Sequence, residues 1–349
     1  MNFQPDYRHF TDVMNNTKPS RLPLYEHIIS FEIMEKILDV EFAGLFEGTP
    51  ADVSEFFRHY CEFFSAMTYD TVSFEVCITE VLPGHGALSG GMKGPIQNRA
   101  DFETYPWDNI TELYRNHAAG KLDALAAALP PGMKAVGGVG NGVFEISEDL
   151  VGLECLPFLK VDDPELYHDL FVKIGDMIYV IWSWFLPRYG DSFAACRMGD
   201  DLGFKSSLLT NPATVRGHIF PQYSRIIDLI HSFGMPFIWH SCGCIFEVME
   251  DAIALGIDAK HSNEDTIAPF ARWIDSYGGR IGLLGGFDMD FLGRHSPEEV
   301  FERVSRLGRE YRNTARGYAL GSGNSIPDFI PVDNYLAMIR AAQAIRGEE

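Results

Sequence analysis

The chain has 349 residues, of which 46% are hydrophobic and 22% charged, so it can bury a sizeable core and is not generally disordered. Its 28 basic and 49 acidic residues give a formal net charge of -21. That charge repels phosphate backbones and anionic lipid headgroups, so neither nucleic acid nor a membrane is an expected partner. The six cysteines lack the spacing of a small secreted disulfide protein, which predicts reduced thiols and a cytoplasmic location.

No targeting or membrane-spanning segment is predicted. The start, MNFQPDYRHF, has no basic segment followed by an apolar stretch, so it does not read as a secretory signal. The longest strongly apolar run, MIYVIWSWFL (177–186), has ten residues, which is too short to cross a bilayer as a helix. We expect this run to form part of a buried helix.

Short apolar or β-branched runs alternate with amphipathic stretches along the chain, which is typical of an α/β fold. The predicted strands are 22–27, 71–76, 134–140, 192–200, 236–241, 258–263, 281–288 and 318–324. Eight strands with helices between them predict a (β/α)8 TIM barrel, with a doubly wound sheet as the alternative. Without a linker signal or repeat, residues 1–349 are predicted to form a single domain with an N-terminal extension ahead of the barrel.

Two connections are longer than a barrel requires. Residues 81–108, after the second predicted strand, are rich in glycine, and long loops of this kind often form active-site lids. A helical pair is predicted between the third and fourth strands, around residues 145–190.

Polar side chains stand at the carboxyl ends of the predicted strands, where a barrel of this type carries its chemistry. The candidate catalytic carboxylates are Glu26, Glu75, Asp200 and Asp201. The candidate substrate-binding residues are His27, Asn141, His261, Asp288 and Asn324. Each has a structural alternative as a hydrogen-bonded loop residue, a helix cap or an ion pair at the barrel mouth.

His240 and Cys242 are the candidate metal ligands. A His-x-Cys pair at a strand end places an imidazole nitrogen and a sulfur on the same side of an extended chain, so that both can bind one zinc ion. The alternative is burial as inert side chains, which is the fate expected for Cys61, Cys77, Cys155 and Cys196. Further ligands must come from other strand ends.

The sequence resembles the uroporphyrinogen decarboxylase superfamily, which also contains the zinc methyltransferases of corrinoid-dependent methyl metabolism. The stretches that carry the resemblance are 94–109, 198–227, 239–243, 277–300 and 317–339. The resemblance implies one barrel with a cleft at the carboxyl ends of its strands. It leaves two chemistries open, methyl transfer and decarboxylation.

For methyl transfer, the resemblance implies that His240 and Cys242 match the first two zinc ligands, while Asn324 stands where the family has a third ligand, a cysteine. Glu26, His27, Glu75 or Cys244 would then complete the shell. Zinc would lower the pKa of a small thiol substrate so that it attacks a methyl group held on a corrinoid. Asp200, Asp201 and Glu75 would orient the substrate or relay protons, and a corrinoid protein and a homodimer are the implied partners.

For decarboxylation, the resemblance implies a metal-free grip on a substrate with many carboxylates through an arginine-rich N-terminal segment. Here residues 21–33 contain one arginine and place acids at the end of the predicted strand. An acidic strand end repels such a substrate, so this chemistry is the alternative. A second alternative is a barrel that binds a ligand or a corrinoid protein without catalysis.

Overall fold

The computed structural model describes residues 3–88 and 92–347. Its centre is one curled sheet of seven parallel strands whose order in the sheet is their order in the chain. The strands are β1 (Thr71–Cys77), β2 (Lys134–Gly140), β3 (Phe193–Gly199), β4 (Phe237–His240), β5 (Ala259–His261), β6 (Gly282–Phe287) and β7 (Tyr318–Ser322). Each lies within a residue or two of a predicted strand, so the predicted α/β fold is confirmed, and the curled parallel sheet is consistent with a TIM-like barrel.

Helices surround the sheet. They are α1 (Arg8–Met14), α2 (Phe31–Leu38), α3 (Pro50–Ala66), α4 (Arg99–Thr104), α5 (Trp107–Ala128), α6 (Val143–Val151), α7 (Leu156–Asp162), α8 (Pro164–Tyr189), α9 (Pro212–Thr214), α10 (Phe220–Ser232), α11 (Met249–Ala254), α12 (Phe270–Tyr277), α13 (Met289–Arg294), α14 (Pro297–Thr314) and α15 (Val332–Arg346). A π-helical turn, Val215–Ile219, joins α9 to α10. The predicted helical pair between the third and fourth strands is the group α6, α7 and α8.

The first predicted strand, 22–27, differs from the prediction. It makes one parallel bridge, between Leu24 and Leu320 of β7, and on its other side the Ser73 hydroxyl of β1 donates to the His27 carbonyl over 2.6 Å. Pro23 has no N–H to extend this pairing toward residue 318, and at the other end the Ser322 N–H donates to the Glu26 carboxylate, so regular pairing is limited to one bridge. The sheet therefore has seven ladder-paired strands, with this segment lying between β7 and β1.

The N-terminal extension closes one end of the barrel. Phe10, Val13 and Met14 of α1 form one buried cluster with inward-facing side chains of the strands, including Val136, Ala195, Ile238, Ala259, Leu284 and Ala319. Because this end is filled by apolar side chains, the interior opens toward the carboxyl ends of the strands.

The apolar run at 177–186 lies in α8, as predicted. Together with the short turn that follows, this helix is long and apolar enough to cross a membrane by composition alone. However, 56% of its most apolar 18-residue stretch is buried within the protein, where Ile178, Ile181 and Trp182 are fully covered. It is a core helix and gives no indication of a membrane protein.

The predicted lid packs on α6. The Gly86 and Leu88 N–H groups donate to the Asp149 carboxylate, over 2.8 and 3.1 Å. Farther along, Gly94 N–H donates to the Val151 carbonyl over 3.1 Å, and Ile96 N–H donates to the Leu150 carbonyl over 2.8 Å. Residues 89–91 lie outside the described residues. The covering role of this segment stays a prediction.

Candidate functional site

A buried arginine lies in the barrel interior, between the apolar cluster and the carboxyl ends of the strands. The Arg197 guanidinium donates to the Glu75 carboxylate over 2.9 Å, to the Tyr25 hydroxyl over 2.9 Å and to the Ser73 hydroxyl over 2.7 Å. Burial alone would lower its pKa, but the Glu75 carboxylate and the Tyr25 hydroxyl raise it above the ordinary value. Glu75, a predicted catalytic residue, is thus committed to an internal ion pair.

Three histidines, His27, His240 and His261, lie next to Arg197 on the side of the carboxyl ends of the strands, and we call them the histidine level. The His27 and His240 rings are stacked with centroids 3.9 Å apart, and His240 Nδ1 lies 2.8 Å from His261 Nδ1. His261 Nε2 lies 3.0 Å from the Ser322 carbonyl oxygen. Burial lowers the pKa of His261 to about 3 and places the pKa values of His27 and His240 well below their usual range. All three rings are therefore neutral at pH 7.

This hydrogen-bond chain assigns the protons of two histidines. A carbonyl oxygen only accepts, so His261 Nε2 carries a proton, and in the neutral ring Nδ1 then accepts. His240 Nδ1 must donate to it, which leaves His240 Nε2 with a free lone pair. A histidine oriented in this way through its second nitrogen is the usual arrangement of a metal ligand.

The His240 lone pair faces Cys242 and Asp201 at the barrel mouth. Cys242 Sγ lies 3.5 Å and Asp201 Oδ1 3.9 Å from His240 Nε2, and these three donor atoms all lie within 4.8 Å of one another. The Cys242 N–H donates to Asp201 Oδ1 over 2.8 Å, which fixes the carboxylate beside the thiol. Burial raises the pKa of the Cys242 thiol, so it stays protonated unless a cation binds.

Two more residues contact the Cys242 sulfur: Asn324, a predicted substrate-binding residue, and Ser262, which was not predicted. Asn324 Nδ2 lies 3.4 Å and Ser262 Oγ 3.5 Å from Cys242 Sγ, and both are donors toward it. Asn324 therefore contacts Cys242 through its amide N–H, not as a third electron-pair donor. Asp201 supplies that third donor.

A nitrogen, a sulfur and a carboxylate oxygen form a donor set that zinc accepts, and three protein ligands with a fourth position open are typical of catalytic zinc. His27, His240 and His261 also satisfy the ligand spacing. In that group, however, both His261 nitrogens and His240 Nδ1 are already engaged in hydrogen bonds. The residues that fit a metal best are therefore His240, Cys242 and Asp201.

Acidic side chains line the mouth beside this group. Asp200 accepts from the Phe144 and Glu145 N–H groups at the start of α6, over 3.0 and 2.8 Å, and from the Tyr223 hydroxyl over 2.5 Å. Burial raises the pKa of Asp200 to about 6 despite these bonds. Burial, with Asp200 and Asp201 nearby, also raises the pKa of Glu145 well above its usual range.

Asn141 is held beside these acids and the turn after β1. It accepts from the Thr79 N–H over 3.1 Å and donates to Glu145 over 3.0 Å. Its neighbour Gly142 is required because a Cβ there would lie 2.2 Å from the Asp200 Cβ.

Three candidates from the sequence lie apart from this centre. Glu26 accepts from the Ser322 N–H and hydroxyl, and none of its hydrogen bonds in the described residues reaches the three histidines. Asp288 accepts from Asp290 N–H as the cap of α13 and from Asp265 N–H, both over 2.7 Å. Cys244 donates its N–H to the Phe204 carbonyl, and its side chain does not belong to the candidate metal group.

Several residues of the site were not predicted. Arg197 had a readable signal, since it is a single charge in the middle of an otherwise apolar strand. Glu148 had a weaker signal, its i,i+3 spacing from Glu145 on one helix face. Ser322 acts partly through its backbone carbonyl, and such a role leaves no side-chain signature.

The fold and the site together define a TIM-type α/β barrel with a buried histidine, cysteine and carboxylate group at the carboxyl ends of its strands. The chain belongs to the uroporphyrinogen decarboxylase family, because the family model described as uroporphyrinogen decarboxylase (URO-D) matches residues 92–345. This confirms the resemblance drawn from the sequence. A comparison with curated protein sequences finds no match.

One solved structure shares the fold, and a second is only weakly similar. A methyltransferase from Methanosarcina mazei has a TM-score of 0.75 at 13% identity, with 96% of this chain and 97% of that chain covered. An intracellular xylanase from Thermoanaerobacterium saccharolyticum has a TM-score of 0.44 at 13% identity, covering 93% of this chain and 90% of its own. At 13% identity the likeness to the methyltransferase shows the fold alone, and a TM-score of 0.44 is too low for the xylanase to show a shared fold.

Proposed function

We propose that this chain is a methyltransferase that moves a methyl group between a corrinoid carrier and a small acceptor, a thiol or similar nucleophile, with zinc bound by His240, Cys242 and Asp201. The observation that carries the proposal is the convergence of His240 Nε2, Cys242 Sγ and Asp201 Oδ1 within 4.8 Å. Membership of the uroporphyrinogen decarboxylase family and the shared fold with a methyltransferase support the reaction class.

When bound, zinc would lower the pKa of the acceptor thiol so that it is a thiolate at neutral pH. The protein's own residues prepare the site for this. His261 and the Ser322 carbonyl hold His240 with its lone pair toward the mouth, and the Ser262 and Asn324 donors stabilise negative charge on the Cys242 sulfur. The thiol proton leaves toward the neighbouring carboxylates, for which Asp200 is suited by its pKa of about 6.

Decarboxylation of a porphyrinogen is the second candidate because of the family match. The arginines argue against it. Arg21 is paired with Asp70, which precedes β1 and so lies at the opposite end of the barrel from the mouth. Arg197 is fully buried and engaged with Glu75. Neither is available to hold substrate carboxylates, and the acids at the mouth repel them.

The first test is the metal. Protein purified without chelator should contain about one zinc per chain, and Cys242→Ser should lower the zinc affinity by a factor of 10 or more. Cys155→Ser is the matched control, since Cys155 lies outside the candidate metal group. The metal assignment would be overturned if the purified protein contained no zinc and if Cys242→Ser transferred methyl groups from methylcobalamin to a thiol at the parent rate.

The second test separates the chemistries. Methyl transfer is followed by the spectral loss of methylcobalamin in the presence of a thiol, and decarboxylation by conversion of uroporphyrinogen to coproporphyrinogen. Turnover of uroporphyrinogen would overturn the proposal in favour of the second candidate. Ligand binding that persists without any turnover, even after His240 and Cys242 are replaced, would instead indicate a non-catalytic binding barrel.

A corrinoid protein, a homodimer and a cytoplasmic setting belong to the same proposal. Each follows from what the resemblance implies, and the single-domain organisation of residues 1–349 stays a prediction beside them.

A further inference from the structure

Gly199 ends β3 beside the candidate metal group, and the mechanism above gives it no role. It pairs with His240 in the parallel ladder between β3 and β4. Residues in register on neighbouring strands face the same side of a sheet, and His240 faces the barrel interior. Arg197, two residues earlier on the same strand, also lies inside the barrel. A side chain at position 199 would therefore point into the barrel mouth.

The other glycines of the sheet have a local reason to be glycine. The seven strands contain eight glycines, and at seven of them a Cβ would come within 3.0 Å of another atom. These seven are Gly137, Gly138, Gly140, Gly282, Gly285, Gly286 and Gly321. Four of them also have a positive φ, which disfavours any residue with a side chain. Crowding, alone or with the backbone conformation, therefore explains each of the seven.

Gly199 has neither reason. Its φ is not positive, and a Cβ built on it would meet a single atom of the described residues within 4 Å, His240 Cδ2 at 3.9 Å, which is an ordinary van der Waals contact. Glycine inside a strand lowers stability relative to alanine, because it loses more backbone freedom on folding. This buried strand therefore keeps an unfilled place in which the methyl group of alanine would fit.

The unfilled place lies beside the His240 nitrogen that faces the mouth. Cδ2 is bonded to Nε2, and Nε2 lies 3.5 Å from Cys242 Sγ. His27 covers one face of the His240 ring, and His261 takes up its Nδ1. The edge of the ring formed by Nε2 and Cδ2 is therefore the part that a ligand can approach, and Gly199 lies next to it.

This place suits carbon better than water. A water molecule in a protein interior needs two or more polar partners, and the one atom that lines the place within 4 Å is a carbon. A glycine in a strand often marks a position where a ligand comes close to the backbone. An apolar group of the ligand therefore fits the space that Gly199 leaves.

We infer that Gly199 is a specificity-determining residue, because the space left by its missing side chain receives the carbon group attached to the reacting atom of the acceptor. The inference rests on the proposed function, since it takes the acceptor to be a thiol that reacts beside His240, Cys242 and Asp201. It narrows the acceptor to organic thiols with a carbon substituent on the sulfur. It also makes the size of that substituent depend on position 199.

The test compares acceptors of increasing size. Methyl transfer from methylcobalamin is measured with hydrosulfide, ethanethiol and 2-propanethiol, and the parent protein should have a higher kcat/KM for the two organic thiols than for hydrosulfide. Gly199→Ala fills the space with one methyl group. The ratio of kcat/KM for 2-propanethiol to that for hydrosulfide should then fall about tenfold or more, since one methylene in an apolar pocket changes selectivity by roughly that factor. The ratio for ethanethiol should fall less.

Two glycines serve as matched controls. Gly120→Ala makes the same change in open space within α5 and should leave the ratio unchanged. Gly140→Ala places a Cβ 2.9 Å from Cys77 Sγ and should lower the Tm, whereas Gly199→Ala should unfold at or above the parent Tm. An unchanged ratio in Gly199→Ala, an equal change in Gly120→Ala, a Tm loss in Gly199→Ala as large as in Gly140→Ala, or equal kcat/KM values of the parent for all three acceptors would overturn the inference.

A second measurement needs neither zinc nor turnover. Gly199→Cys is prepared together with Cys242→Ser and treated with methyl methanethiosulfonate, which forms a disulfide with an accessible thiol and releases methanesulfinate. Mass spectrometry should find the thiol at position 199 modified, while Cys196, fully buried on the same strand, stays unmodified. Modification in a protein whose parent transfers no methyl group would sink the proposed function and leave the space open to a ligand. An unmodified thiol beside normal methyl transfer by the parent would sink this inference alone.

Discussion

Replacing Arg197 by methionine should destabilise the protein strongly, because it leaves the Glu75 carboxylate buried without its cation. Arg197 is fully buried, and the Glu75 side chain is 7% exposed. Removing one partner of such a pair typically costs about 3–5 kcal/mol, whereas replacing both is often neutral. For 349 residues the unfolding entropy is roughly 0.7 kcal/mol/K, so the expected loss in Tm is about 4–7 °C.

The assay is thermal and urea unfolding of Arg197→Met, Glu75→Gln and the double variant. The double variant should recover most of the loss, since no unpaired charge then remains in the barrel. Arg225→Met is the matched control. Its partner is Asp176, and their side chains are 44% and 51% exposed, so it should cost about 1 kcal/mol or less.

Two results would refute this reasoning. The first is unfolding of Arg197→Met at the same urea concentration as the parent, which would mean that the ion pair contributes nothing against its desolvation cost. The second is a double variant that is no more stable than Arg197→Met, which would mean that lost packing of the arginine, and not the unpaired carboxylate, determines the effect.

Three further predictions concern the site and its surroundings. Gly142→Ala should destabilise the protein by about 1–3 kcal/mol in urea unfolding because its Cβ would overlap Asp200, whereas Gly120→Ala, in open space within α5, should stabilise it by about 1 kcal/mol. Burial raises the pKa of Glu26 to about 8, so the folded state keeps a proton that the unfolded state loses near pH 4.5. The free energy of unfolding therefore falls as the pH rises between these two values. Glu26→Gln should remove that part of the fall, and a pH-independent difference between the two proteins would contradict the assignment. Asp149→Ala should speed proteolytic cleavage within 81–98, detected by mass spectrometry, because two lid N–H groups lose their acceptor; cleavage at the parent rate would contradict the contact.

The strands were predictable because buried parallel strands are short apolar runs between amphipathic helices, and this pattern is local. The exception, residues 22–27, reflects the missing N–H of Pro23 and the Ser322 N–H that the Glu26 carboxylate takes up, and both limit pairing without changing the apolar pattern. Glu26 lies apart from the centre, whereas its neighbour His27 stacks on His240. Adjacent residues of an extended chain face opposite sides, so only one of the two could reach the histidines.

The composition of the centre was only partly predictable. His240 and Cys242 are close in sequence, and their spacing already places them together. Asp201, after β3, lies near the His240 nitrogen, and Asn324, after β7, contacts the Cys242 sulfur. These distances depend on loop conformations that a sequence pattern does not encode.

The ring of strands is completed by parts of the polypeptide that lie far apart in the sequence. Leu24 bridges to Leu320, and the Glu26 carboxylate contacts Ser322 across 296 positions. During synthesis, His261 therefore lacks the Ser322 carbonyl that holds its ring until β7, the last strand, has left the ribosome. A chain that stops after α14 would carry His240 and Cys242 yet could not orient them for a ligand.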